Sequence, residues 1–161
     1  MKVDMIVDND KLIPHYKTIG SGGCDLVANI QNPMTIEAGA QALISTGIKI
    51  HIKDENVAGY IIPRSGKGTQ GLVLGNLVGF IDSDFQGEMK IPLWNRSKAP
   101  ITINPLDAVA QFYLAPVIRA EWNIVDSFDE KTVRGEGGFG HTDKLPKKTP
   151  TSNQRKKVAK K

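Results

Sequence analysis

No stretch of this sequence can carry a long helix. Sixteen glycines and nine prolines are scattered through it, and no window of eleven residues repeats apolar side chains at i, i+3, i+4 and i+7. What the glycines and prolines leave intact is short and often alternates. Val3, Met5 and Val7 are separated by polar neighbours, and Ile48, Ile50 and Ile52 by Lys49 and His51. Further β-rich runs cover residues 24–30, 57–62, 89–94, 101–103, 109–114 and 117–125. Asn32-Pro33 and Ala38-Gly39 mark turns. Many short strands at a spacing of roughly 8–12 residues predict an all-β sandwich, jelly roll or barrel. One or two helical turns fit at residues 65–70. Pro92, inside an apparent strand, predicts an edge strand or a bulge, because proline brings no ladder donor. Pro116 divides the last apolar run into two strands.

The length of 161 residues suits one domain with a sizeable core. No run of eighteen apolar residues is present, and the mixed, acidic N-terminus is not a signal peptide. A single cysteine, Cys24, excludes an intrachain disulfide and fits a reducing compartment, so a cytoplasmic protein is expected. With three histidines beside it, no zinc-ligand spacing occurs. The net charge of +4 conceals an asymmetry: residues 144–161 carry eight Lys/Arg and no acid, so residues 1–143 are net −4. A basic body fit for nucleic acid is therefore excluded. The like-charged tail is expected to be disordered, and its charge suits weak nucleic-acid contact.

Four groups of residues invite chemistry. Residues 75–88 place two aspartates, Asp82 and Asp84, and an aromatic ring, Phe85, among glycines. This stretch reads as a hairpin whose backbone can approach a flat ligand. Either acid can serve water or a metal–phosphate group, or both can decorate a plain hairpin tip. Pro63-Arg64-Ser65-Gly66 supplies a cation, a hydroxyl and free N–H groups, a set that suits a phosphate as well as a polar turn. Asp25 follows Gly22-Gly23-Cys24 and can address a metal–phosphate group. Residues 134–142 hold four glycines around Arg134 and Phe139. That segment is costly to order and reads as a lid whose ring stacks on a base and whose arginine meets phosphate. Gln111, in an apolar run, is an outward strand residue or an amide donor to phosphate; spacing does not choose.

In this order the pieces resemble the trimeric dUTP diphosphatases, bacterial type, over residues 1–143. The five matching motifs are Ser21-Gly22-Gly23-Cys24-Asp25-Leu26, Pro63-Arg64-Ser65-Gly66, residues 79–88, a fourth ending in Ala110-Gln111, and residues 134–142. The resemblance implies a distorted jelly-roll (β-clip) barrel spanning residues 1–143, with the arm motif at 134–143 and the basic tail at 144–161. It implies a homotrimer with three shared active sites. Each site would take the hairpin from one chain, Arg64-Ser65-Gly66 from a second and the arm from a third. The implied reaction is dUTP and water to dUMP and pyrophosphate, with Mg²⁺ on the triphosphate. Asp82 would orient or deprotonate the water. Asn76 and the backbone of Phe80 and Ile81 would read uracil, and Phe85 would pack beneath deoxyribose. Lys90 stands near the nucleotide in bacterial relatives. Arg64, Ser65, Gly66 and Gln111 would hold phosphates, Arg134 would meet the γ-phosphate, Phe139 would cap the base, and Asp25 would contact the metal through water.

The chain departs from the family pattern at four places. Phe85 stands for tyrosine. The fourth motif has Leu106-Asp107-Ala108 where a turn glycine and an arginine are usual. The loop at residues 67–71 is about one residue short. Asp143 replaces a terminal glycine. Two rivals remain beside the hydrolase: a dUTP-gated regulatory protein without turnover, and a dCTP deaminase. Against the latter, the strand after Glu88 carries no carboxylate.

Overall fold

The structure, a computed structural model, describes residues 1–139. Ten strands follow one another: β1 (Asp4–Val7), β2 (Cys24–Val27), β3 (Met34–Ile36), β4 (Gln41–His51), β5 (Val57–Pro63), β6 (Leu72–Leu74), β7 (Gly79–Ile81), β8 (Glu88–Asn95), β9 (Ile101–Ile103) and β10 (Ala108–Pro116). Among the described residues the one α-helix, α1 (Ser65–Thr69), falls where a helical turn is expected. β1, β4, β8 and β6 form one four-stranded sheet in that order, β2, β10, β5 and β7 a second, and β3 pairs with β9. Every pairing is antiparallel. This is the all-β jelly-roll-type fold that the spacing and the resemblance predict.

The period-two pattern decides which face is buried. On β8, Met89, Ile91, Leu93 and Asn95 turn inward, while Lys90, Pro92 and Trp94 remain at least partly exposed. The inward side chains meet Leu26, Ile44, Ile48, Leu72, Leu74, Ile103 and Val109 in one apolar cluster. Each fully buried Leu or Ile contributes about 1.5–3 kcal/mol. Buried Asn95 has its side chain satisfied: its amide donates to the Ile36 and Ala99 carbonyls at 2.8 Å each, and its oxygen accepts from Ser97.

Three expectations are corrected. Residues 75–88 are not a hairpin. β7 pairs with β5 in the second sheet, β8 pairs with β4 and β6 in the first, and β7 and β8 do not pair with each other. The segment between them is an arch that carries the chain from one sheet to the other. A turn closes it, Phe85 N–H donating to the Asp82 carbonyl at 3.2 Å, and Lys53 N–H donates to the Ser83 carbonyl at 3.2 Å. Next, β8 is interior rather than an edge. Pro92 lies opposite Leu43 of β4, and its carbonyl accepts from Gly75 at 2.6 Å, just beyond the end of β6. Its missing N–H therefore points past a strand end, where no ladder bond is lost. The bulge of this pair sits on β4, between Ser45 and Lys49. Finally, residues 117–125 form no strand. They alternate as a strand would, but among the described residues no ladder takes them up, and Ile118, Trp122 and Ile124 are exposed.

The described residues divide into two units, Met1–Ala120 and a second that begins at Glu121. The first holds all ten strands. In the second, the described residues form neither helix nor strand. His141, Thr142 and Asp143 of the fifth motif, and the basic tail, lie outside the described residues. No helix among the described residues is long and apolar enough to cross a membrane.

Candidate active site

The strand register brings three of the expected residues together. Gln111 on β10 lies opposite Asp25 on β2 and opposite Ile62 on β5, so the first two share a face, and Arg64 follows one residue after β5 ends at Pro63. Arg64 donates from Nε to Asp25 Oδ1 at 3.0 Å and from Nη2 to Oδ2 at 3.3 Å, a two-point grip. Its Nη1 donates to the Ala108 carbonyl at 3.3 Å, presented where a register shift interrupts the β10–β2 ladder between Ala108 and Ala110. Gln111 Nε2 reaches Asp25 Oδ1 at 3.4 Å. These residues line an open groove with Lys17, Ser21, Gly22, Gly23, Ile62 and Tyr113. Ser65 and Gly66 are exposed at the start of α1 beside it.

The other expected residues gather elsewhere. Asp82, Ser83, Asp84 and Phe80 line a second groove with Glu55, Val57, Ala58, Val117 and Arg119. The two grooves share no residue. β5 holds them apart: Ile81 pairs with Gly59, whereas Arg64 follows the other end of the strand, five residues on. At ~3.3 Å per residue that is about 16 Å of backbone, longer than a triphosphate. Their charges differ too. The first groove pairs two cations with one acid; the second gathers three acids and one arginine.

The arch presents what a flat ligand needs. β7 is an edge strand, so one side of its backbone faces no other strand. The Phe80 ring meets Tyr60 edge-on at 5.1 Å, and Tyr60 stacks on Tyr113 at 5.2 Å, which fixes the outer face of this sheet. Asn76 is exposed, and among the described residues its side chain makes no hydrogen bond. Leu77 beside it has φ 64°, which turns the chain sharply between β6 and β7. The Phe85 ring lies over Gly87: a Cβ built there would stand 2.7 Å from its Cζ and 2.9 Å from its Cε2. The glycine at that position is therefore the seat of the ring.

Glu88 ties the foot of the arch to β4. Its carboxylate accepts from the Ser45 hydroxyl and, at 3.0 Å, from Gly47 N–H. Gly47 has φ 65°, and a Cβ there would collide with Asn29 and Leu12. The Ser45 bond, reinforced by the Gly47 amide and the Lys90 ammonium, holds the Glu88 carboxyl below its usual range despite partial burial. Lys90 stands exposed on the outer face of β8, 3.7 Å from Glu88. Burial pushes the Cys24 thiol up, and its sulfur sits 3.5 Å from the Phe112 carbonyl, the setting of a packed, unreactive residue.

In the second unit, Arg134 folds back on its own turn, Nε donating to the Gly137 carbonyl at 2.8 Å, and Phe139 is fully exposed. Lys17 lines the Asp25 groove though it is not among the expected residues, and Gly87 belongs to the third motif without an expected role of its own. Lys17 is not signalled by any motif; only the loop's return to the Asp25 groove reveals it.

No three His, Cys, Asp or Glu residues cluster to cage a metal among the described residues. Asp25 stands as a single carboxylate, with Arg64 and Gln111 already on its oxygens. Such a donor set fits a Mg²⁺ held mainly by substrate phosphates and touched by protein through water, the usual preference of that ion.

The family model described as dUTPase matches residues 9–143. Curated relatives named deoxyuridine 5'-triphosphate nucleotidohydrolase include that of Glaesserella parasuis, 50% identical over 143 residues, 88% of this chain and 94% of the relative. Another is that of Idiomarina loihiensis, 55% identical over 131 residues, 81% and 86% of the two chains. Among solved structures, a dUTPase mutant of Staphylococcus bacteriophage 80alpha with dUpNHpp superposes with a TM-score of 0.78 at 19% identity, covering 88% of this chain and 98% of that one. A mutant dUTPase of the S. aureus phage phi11, whose structure reveals the coordination of a structural Mg(II) ion, gives 0.71 at 20% identity, covering 81% and 100%.

Proposed function

The chain belongs to the dUTPase family, and on that premise we propose that it hydrolyses dUTP to dUMP and pyrophosphate, limiting uracil in DNA and supplying dUMP for dTMP synthesis in the cytoplasm. The observation that carries the mechanism is the separation of the two grooves along β5. One holds Arg64, Gln111 and Asp25, the other Asp82. A single chain therefore offers two half-sites, and a complete site needs the cation groove of one protomer against the arch of another. This supports the homotrimer with shared sites.

Within such a site, the edge of β7 at Phe80 and Ile81, with the free Asn76 amide, reads the donor and acceptor pattern of uracil. A backbone pressed on the ring leaves no space for the 5-methyl of thymine. Phe85, seated on Gly87, packs beneath deoxyribose and excludes a 2′-hydroxyl by bulk. Arg64, Ser65, Gly66 and Gln111 hold phosphates, and Lys90 stands toward the nucleotide. Asp82 orients the attacking water and takes its proton, a role worth about 10²–10⁴ in rate. Arg134, released from Gly137, reaches the γ-phosphate, and Phe139 caps the base. Mg²⁺, bound with the triphosphate and touched through water by Asp25, neutralises phosphate charge. The tail's charge supports at most a weak, salt-sensitive hold on nucleic acid, which a gel shift on chains with and without residues 144–161 tests.

The test is pyrophosphate release from dUTP, UTP and dCTP, with Asp82→Asn and Arg64→Ala chains measured alone and mixed. Each variant alone should be nearly inactive, and mixing should restore part of the turnover, because some mixed sites draw an intact Asp82 and an intact Arg64 from different chains. Mixtures that stay inactive would refute shared sites. Tight dUTP binding with no turnover by the wild type would favour the regulatory protein, and ammonia from dCTP the deaminase. The latter has nothing to draw on at Glu88, the one carboxylate of β8, which is committed to Ser45 and Gly47.

A further inference from the structure

The groove of Asp25, Arg64 and Gln111, taken as the phosphate site, has a deficit of positive charge. All three guanidinium nitrogens of Arg64 are engaged within the chain, two on Asp25 and one on the Ala108 carbonyl. The Asp25–Arg64 pair is neutral as a unit. A triphosphate tail is strongly anionic, and a neutral pair does little to draw it in. One other cation lines the groove, Lys17. Among the described residues its ammonium takes part in no ion pair and no side-chain hydrogen bond. Its loop is fixed from behind: Ser21 N–H donates to the Thr18 carbonyl at 3.1 Å, Thr18 N–H to the Ser21 hydroxyl at 3.0 Å, and the two hydroxyls meet at 3.0 Å. Gly23 then packs so closely on β10 that a Cβ would stand 3.0 Å from the Phe112 carbonyl. The loop is thereby held at the groove while the lysine stays exposed.

We infer that Lys17 is a phosphate-binding residue, the uncompensated cation of the groove, and that it acts on the triphosphate tail rather than on the nucleoside. The inference rests on the assignment of this groove to phosphate. A compact ammonium on a long, flexible stem suits a mobile anion, and adds a net positive charge beside the two N–H groups that Arg64 keeps free. An exposed cation of this kind is worth about fivefold in affinity.

Calorimetric dissociation constants for dUpNHpp and for dUMP, on wild type, Lys17→Ala and Lys17→Arg, test it. Lys17→Ala should weaken dUpNHpp about fivefold and leave dUMP within about twofold, since dUMP lacks the phosphates that the lysine meets. Lys17→Arg should bind both ligands as the wild type does. A dUpNHpp affinity unchanged in Lys17→Ala, or an equal loss for both ligands, overturns the proposal while leaving the groove's assignment standing. A wild type that neither binds dUpNHpp nor releases pyrophosphate from dUTP overturns the assignment itself, and Lys17 with it.

Discussion

Gly87→Ala isolates the seat of the Phe85 ring. The added Cβ would lie 2.7 Å from Phe85 Cζ and 2.9 Å from Cε2, whereas carbon atoms rest at about 3.5–4.0 Å. The ring must therefore move by about 1 Å. The backbone is not the obstacle, because φ at Gly87 lies outside the left-handed region. Nor should stability fall much: Phe85 is 39% exposed and has room to swing, so the change should stay within about 0.5 kcal/mol, as for ordinary surface substitutions. Function is another matter. A platform displaced by about 1 Å misplaces the sugar and with it the α-phosphate, and misplacement on that scale can cost about 10²-fold. Steady-state pyrophosphate release should show kcat/KM for dUTP reduced by about 10- to 100-fold, with discrimination against UTP weakened. In a Phe85→Ala background the same Gly87→Ala change should have almost no further effect, because its target is gone; the double-mutant cycle reads that coupling directly. A Gly87→Ala enzyme with wild-type kcat/KM, or one equally impaired with and without the ring, would refute the steric argument.

Two further outcomes concern the frame around the site. Leu106 has φ 65° where the family places a turn glycine, a conformation costing a side-chain-bearing residue roughly 1–2 kcal/mol. Leu106→Gly should relieve most of that, less the roughly 0.5–1 kcal/mol lost to greater freedom of the unfolded chain. A thermal melt should show a rise of a few degrees, and a lowered Tm would count against strain at this turn. Glu88 has its native pKa depressed, first by the Ser45 hydroxyl, so its contribution to stability is present above the ordinary glutamate range and lost as pH falls through it to the depressed value. Glu88→Gln should flatten the acid limb of a stability–pH curve; an unchanged limb would mean that the Ser45 and Gly47 bonds do not discriminate the charged form.

Most strands up to Pro116 were legible because alternation and punctuation are local properties, but the three-residue strands β3 and β6 are too short to show a period. Legibility failed where the answer depended on a partner. Residues 117–125 alternate convincingly, yet alternation offers a face and does not supply an edge to pair with. Pro92 announces a missing N–H, but only the length of β6 tells that the gap falls beyond a strand end. The alternation at Ile48, Ile50 and Ile52 reveals only the second half of β4, because the bulge between Ser45 and Lys49 shifts the period in mid-strand. Asp82 and Asp84 looked alike in the sequence, and the structure keeps both in one groove; only the family pattern distinguishes them. Asp25, Gln111 and Arg64 could be named from motifs, but their mutual engagement could not, since it arises from register across β2, β10 and β5. Lys17 carries no motif at all and was invisible for that reason.

The spacing imposed by β5 has a kinetic consequence. If a site exists only where the groove of one chain meets the arch of another, specific activity depends on how much chain is present. On dilution below the dissociation constant of the assembly, turnover per chain should collapse more steeply than in proportion to concentration. Substrate, which bridges both chains, should hold the assembly together and delay that collapse. On that proposal, the length of β5 makes subunit concentration a regulator of the reaction.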